Sequence, residues 1–323
     1  MPPNSLLRPL TGSIAALRGG RRIVVLTYHR VLAEPDPLRS GDVTAADFES
    51  HVRTIARYFN AMTFGDAAAA LAGGGFPSNC VAITFDDGYR DNHDIALPIL
   101  KKHGVPATFF VTTGFLDDDV MWNDVVIESV RARIGDSIDL GVIGGERETL
   151  ETADDAAALL RKILPKIKRL PSDQRPQAVA DLSRAAGYVR ESRVMMTESE
   201  VRSMHQCGME IGAHTVSHPI LMNLADDDAY REIEDSKRAL EGITGETVSS
   251  FAYPNGRPGK DFSEREVELV RSAGFECAAT TEWACATPEA DPFRIPRVSL
   301  WGSGSGATLY RLTRSFATRG AAA

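Results

Sequence analysis

Apolar residues follow two rhythms along this chain. Short unbroken runs such as 22–28 (Arg-Ile-Val-Val-Leu-Thr-Tyr) and 81–85 (Val-Ala-Ile-Thr-Phe) have the length and β-branched content of buried strands. Between such runs the apolar positions recur at helical spacing. Thr44 caps a predicted helix reaching about Phe59, with Phe48, Val52 and Ile55 on one face. An alanine-rich helix is predicted from Asp66 to Leu71 and is ended by Gly73-Gly74-Gly75. Residues 92–103 read as a helix ended by Gly104, in which Pro98 requires a kink or a late start. Thr197-Glu198-Ser199-Glu200 and Ser263-Glu264-Arg265-Glu266 have the form of capping boxes that open two more. Further strands are predicted at 62–64, 105–111, 209–213, 248–253, 275–281 and 293–300.

Strands alternating with helices imply an α/β fold, and 323 residues suffice for one barrel or two modest domains. The expectation is a single domain over 1–323, a barrel of seven or eight strands. From about 117 to 199 the rhythm changes. Helical segments at 151–170 and 172–186 replace the strand signals, so this stretch is read as a helical insertion.

The chemistry sits where strands end. Asp86-Asp87-Gly88 follows one strand-like run and His214-Thr215-Val216-Ser217-His218 follows another. Alone, Asp-Asp-Gly is an ordinary turn and a histidine pair an ordinary polar face. Together, at the carboxyl ends of strands where α/β folds build their sites, they point to a metal-dependent hydrolase. Two imidazoles and one carboxylate hold a divalent ion while leaving positions for water, and a second carboxylate can take that water's proton. If the strands are parallel, the same rim collects His29, Pro254-Asn255-Gly256 and Trp283. A strand-end histidine such as His29 can protonate a leaving group. The other histidines fall within or beside helices and are read as structural.

Charge and cysteine usage narrow the partners. A formal net charge of −8 disfavours nucleic acid. The four cysteines, Cys80, Cys207, Cys277 and Cys285, show no disulfide framework. Neither a secretory apolar segment nor a membrane span is recognised, so the chain reads as cytoplasmic. Leu7, Leu10, Ile14 and Leu17 recur at helical spacing among arginines, which allows residues 5–18 to touch anionic lipid. Pro9 and Gly12 favour a short helix closing the bottom of a barrel instead.

These motifs resemble those of the polysaccharide deacetylases, carbohydrate esterase family four, over about 22–116 and 197–300. The resemblance rests on Thr-Phe-Asp-Asp-Gly at 84–88 and His-Thr-Val-Ser-His at 214–218. It implies a distorted (β/α)7-type barrel, here with the helical insertion, and hydrolysis of N-acetyl or O-acetyl groups from an acetylated saccharide. By the same resemblance Asp87, His214 and His218 are metal ligands, usually to zinc, and Asp86 is the general base. The sequence departs from the family twice. Ala252-Tyr253-Pro254-Asn255-Gly256 stands where an Arg-Pro-Pro-Tyr-Gly motif is usual, and no histidine follows His218.

Arg297 is the candidate to replace the missing arginine, with a surface acid as its alternative partner. The opening Thr27-Tyr28-His29-Arg30-Val31 is similar to a subgroup containing biofilm poly-N-acetylglucosamine deacetylases, which makes His29 the candidate acid. Pro254, Tyr253 and the Asn255 N–H would form the oxyanion and substrate turn, and Trp283 would line the pocket for the acetyl methyl. The implied substrate is an exopolysaccharide or envelope glycan precursor. Two other readings stand beside this one. Two histidines and a carboxylate also describe a non-haem iron oxygenase, and the missing arginine would suit a non-catalytic carbohydrate-binding homologue.

Overall fold

A computed structural model describes residues 21–117, 120–170, 174–190, 192–300 and 304–316. The reading of residues 5–18 lies outside them. The chain divides into two compact units, one carrying residues 21–33, 42–117 and 196–316, the other residues 34–41 and 120–195.

The first unit is a curled parallel sheet. Its strands are β1 (Ile23–Tyr28), β2 (Asn60–Met62), β3 (Cys80–Phe85), β4 (Thr108–Val111), β5 (Glu210–Ala213), β6 (Ser250–Ala252), β7 (Cys277–Ala279) and β8 (Val298–Ser299). The spatial order is β7-β6-β5-β4-β3-β1-β8, with β2 paired to the first half of β3. The segment entering β8 joins the two ends of the sheet. Ala278 N–H donates to Pro292 O at 2.8 Å and Ile295 N–H to Ala278 O at 2.9 Å, and three residues later Val298 pairs with Leu26 of β1. This is the distorted barrel expected from the sequence.

Side chains alternate across such a sheet. Ile23 and Val25 of β1, Cys80 and Ala82 of β3, Phe110 of β4, Ala252 of β6 and Ile295 form one interior cluster. Their neighbours Val24, Leu26, Tyr28, Val81, Ile83, Phe85, Phe109 and Phe251 pack in a second cluster with helix residues such as Phe48, Val52 and Ile55. The interior is tight. A Cβ on Gly212 would lie 2.5 Å from the Phe110 ring, so only glycine lets β5 pass that ring.

The amino-terminal end of the barrel is plugged by the helix Phe64–Gly73, whose Phe64, Ala67, Ala68 and Leu71 belong to the interior cluster. Its first N–H groups need acceptors. Phe64 N–H donates to Thr108 Oγ1 at 2.8 Å and Gly65 N–H to Glu210 Oε2 at 2.9 Å. The short strand predicted at 62–64 is thus displaced to 60–62, because Thr63 caps this helix by accepting from Asp66 N–H at 3.2 Å. Pro98 lies in the first turn of the helix Leu97–His103, which begins late, after a π-helical turn at Asn92–Ala96. Both expected capping boxes are present, at Thr197 with Glu200 and at Ser263 with Glu266.

The second unit has its own core. Leu38 packs with residues of the helices Trp122–Arg131, Ala153–Lys168 and Arg175–Ala186. Arg39 ties its segment down through Asp124 at 2.7 Å and Glu128 at 2.9 Å. This unit is not purely helical. Asp136–Asp139 and Arg147–Leu150 form an antiparallel hairpin whose two strands bury only Ile138 and Leu150. One buried residue per strand leaves no alternation to read, which is why the sequence gives no strand signal there. Among the described residues no helix is long and apolar enough to cross a membrane.

Candidate active site

The inward parity of each strand carries past its end. In β3 the interior sequence Cys80, Ala82, Thr84 leads to Asp86, and in the chain entering β8 Ile295 leads to Arg297. In β5 the outward Ile211 and Ala213 leave Gly212 and then His214 on the inside. Tyr253 has the opposite parity. Its ring stacks on Phe262 with centroids 3.9 Å apart and meets Phe251 edge-on, in the layer between sheet and helices. The Tyr253 side chain, expected at the substrate turn, is thus buried in packing.

Asp86 and Arg297 are both buried and face each other as two forks. The guanidinium donates to Oδ1 and to Oδ2, each at 2.7 Å. Arg297 is held in turn by Thr280 O at 2.9 Å and Thr84 Oγ1 at 3.1 Å. Burial works against the Asp86 anion. The Arg297 charge outweighs it and holds the carboxyl well below the usual carboxylate range, with smaller help from His29. His29 follows β1 directly beside Asp86, since Tyr28 pairs in register with Phe85, and its side chain is exposed.

Asp87 adopts a left-handed backbone with φ 77°, which turns its carboxylate away from the Asp86 direction. It meets two imidazoles. His214 Nε2 lies 3.6 Å and His218 Nε2 3.5 Å from Asp87 Oδ1. His214 Nδ1 lies 2.7 Å from Ala252 O, and a carbonyl can only accept, so this nitrogen carries the proton. In the neutral ring Nε2 then presents a lone pair toward a carboxylate oxygen, an arrangement that could hold a cation between them. The spacing fits one. Ligand atoms about 2.0–2.1 Å from a tetrahedral zinc stand roughly 3.4 Å from one another.

The loop carrying the histidines is itself strained, with φ 66° at Thr215 and 55° at His218. Its amides are tied down by partners remote in sequence. Val216 N–H and Ser217 N–H donate to Glu232 Oε2 at 2.9 and 2.8 Å, and the Ser217 hydroxyl donates to Oε1 at 2.6 Å. Gly114 N–H donates to Val216 O at 2.8 Å. Neither Glu232 nor the Ala252 carbonyl was identifiable from the sequence. A glutamate on an acidic helix carries no signal of its target, and a backbone carbonyl carries none at all.

Pro254 and Asn255 form a tight turn in which Gly256 N–H donates to Pro254 O at 2.7 Å. Asn255 has φ 63°, and its carbonyl accepts from the Thr281 hydroxyl at 2.6 Å. Trp283, two residues beyond Thr281, is 52% exposed. The structure thus joins Asp86 to Arg297 and Asp87 to both histidines, while His29 and Trp283 remain open to solvent.

The Polysaccharide deacetylase family model matches residues 73–136 and 180–278. YxkH of Bacillus subtilis (strain 168), named after that family, is 24% identical over 287 residues, covering 88% of this chain and 74% of its own length. The poly-beta-1,6-N-acetyl-D-glucosamine N-deacetylase of Staphylococcus aureus (strain MSSA476) is 27% identical over 299 residues, covering 86% of this chain and 78% of its own. Among solved structures, Streptococcus pyogenes deacetylase PplD in complex with acetate superposes with a TM-score of 0.62 at 19% identity, covering 91% of this chain and 99% of that one. At that identity the likeness concerns the fold.

Proposed function

Because the chain belongs to the polysaccharide deacetylase family, we propose that it is a metal-dependent N-deacetylase of an acetylated amino-sugar glycan, with zinc as its ion. The observation that carries this reading is the Asp87, His214 and His218 cluster, set beside a buried carboxylate that belongs to a different ion pair. The separation supports different work for the two acids. Asp87 with the two imidazoles would hold the ion. Bound there, the ion would acidify water and polarise the acetamide carbonyl.

Asp86 would take the proton from the attacking water. Its ionised form is secured by Arg297, which also fixes the carboxylate plane through two parallel bonds. The Asn255 N–H in the turn after β6 would stabilise the charge developing on the carbonyl oxygen. His29, exposed and close enough to influence Asp86, would deliver a proton to the leaving amine. Trp283 offers an exposed apolar face for the sugar or its acetyl group. The S. aureus relative is named for a β-1,6-linked N-acetylglucosamine polymer, which makes that linkage the first substrate to try. A carboxylate placed to accept a proton favours hydrolysis over the oxygenase reading.

The test is acetate release from a panel of N- and O-acetylated saccharides, under air and without oxygen, with metal content measured on the same sample. Oxygen-independent release that a chelator abolishes and zinc restores is the expected result. Release that survives complete metal removal would refute the reading. Because Glu232 holds the loop between the two histidine ligands, Glu232→Gln is expected to weaken metal affinity about 10–100-fold, the usual cost of losing a partner that orients ligands. Competition with a chromophoric chelator measures this directly, and an unchanged affinity would reduce Glu232 to a loop contact.

A further inference from the structure

Away from that centre, and among the described residues, His93, Asp94 and Glu200 each offer a ligand atom, all within 4.8 Å of one another. We propose that they form a second divalent-cation site, of the nitrogen-and-oxygen type suited to Zn2+, which clamps the segment behind the Asp86–Asp87 turn to the helix Glu198–Gln206. The site does not depend on the deacetylase reading, since it shares no residue with it.

The two segments already run side by side. Met196 N–H donates to Gly88 O at 3.0 Å, directly after the catalytic turn. Farther along the same pair of segments, His93 and Asp94 come to the first turn of the helix that Thr197 caps. Their element is the π-helical turn Asn92–Ala96, an irregularity that recurs at functional sites. His93 Nδ1 lies 2.9 Å from Asp94 Oδ1, and both side chains are reachable from solvent at 26% and 39% exposure.

Glu200 is oriented before any ion arrives. Its Oε2 accepts Thr197 N–H at 2.7 Å in the capping box, which fixes the carboxylate plane. An imidazole with two carboxylates is a donor set that borderline cations accept. One neighbour opposes binding. Arg90 pairs with Asp94 Oδ2 at 2.8 Å, so the site is weaker than the catalytic one.

The same atoms would also serve as a plain surface cluster around a helix cap, and two variants separate the cases. Glu200→Gln keeps the capping box, because a glutamine oxygen at that position takes the same bond, but it removes one of the two anionic ligands. His93→Gln removes the nitrogen ligand. The metal-free full-length chain and both variants are titrated with zinc by calorimetry, and thermal midpoints are recorded after one and two equivalents. Expected are two ions per chain in the parent and one in each variant, with acetate release by the variants within twofold of the parent. The second equivalent should raise the midpoint of the parent and of neither variant. A single ion in the parent, or a second ion that persists in both variants, overturns the proposal.

Discussion

Asp86→Asn is expected to leave the tight ion bound and to slow acetate release by about 10²–10⁴-fold, the contribution of a positioned general base. The amide matches the carboxylate in shape, and the ion's candidate ligands lie on Asp87, His214 and His218, which the change does not touch. What disappears is the proton acceptor. The amide also turns an NH2 group toward one prong of the Arg297 fork, where the carboxylate had accepted a bond at 2.7 Å. Some stability is therefore lost as well, and the rate comparison belongs well below the variant's own unfolding midpoint. Acetate release set against metal content measures both halves of the expectation. Turnover near that of the parent would remove Asp86 from the role of base, whereas loss of the ion would mean that the two carboxylates share their work differently.

Replacing Arg297 by methionine should have the second large effect, on stability and pH dependence together. Removing one member of a buried ion pair costs about 3–5 kcal/mol, because the partner is left charged without compensation. Asp86 is that partner, and its folded value is depressed. The pair's contribution is therefore fully present above the ordinary aspartate value near 3.9 and fades only as pH falls through the lower folded value. At neutral pH the variant should lose all of it.

Burial then acts on Asp86 unopposed by the guanidinium and raises its pKa, so the acidic limb of the rate profile should move to higher pH. Arg297→Lys restores a positive charge but not the two parallel bonds, and should fall between parent and methionine variant. Denaturant midpoints and rate profiles across the acid range provide the check. An acidic limb that stays in place in the methionine variant would mean that Arg297 does not set the state of Asp86.

Much of this site could be read along the chain because it lies at strand ends. A run such as Val-Ala-Ile-Thr-Phe both declares a strand and fixes where it stops, so the residue that follows is placed at the rim. The same alternation that put Asp86, His214 and Arg297 inside also put Tyr253 outside, where it stacks on Phe262. That parity was available in the sequence, counted from Phe251. The hairpin at 136–150 was not legible, since two four-residue strands with one buried side chain each leave no periodic trace. Nor was the membership of residues 34–41 in the second unit, which rests on Leu38 in its core and Arg39 on Asp124 and Glu128, contacts made across about ninety residues.

The sequence by itself determined the α/β class, the positions of most strands and helices, and the residue types able to hold a cation beside a proton acceptor. Those properties depend on local periodicity and on side-chain chemistry, both present in the order of residues. Tertiary structure alone decided which groups meet. Arg297 reaches Asp86 across 211 positions because the segment entering β8 joins the two ends of the sheet. His214 takes its tautomer from a carbonyl on β6, and the strained loop to His218 is held by Glu232. Pairings of this kind follow from strand order and register, which arise only when the whole sheet curls and brings distant segments to one rim.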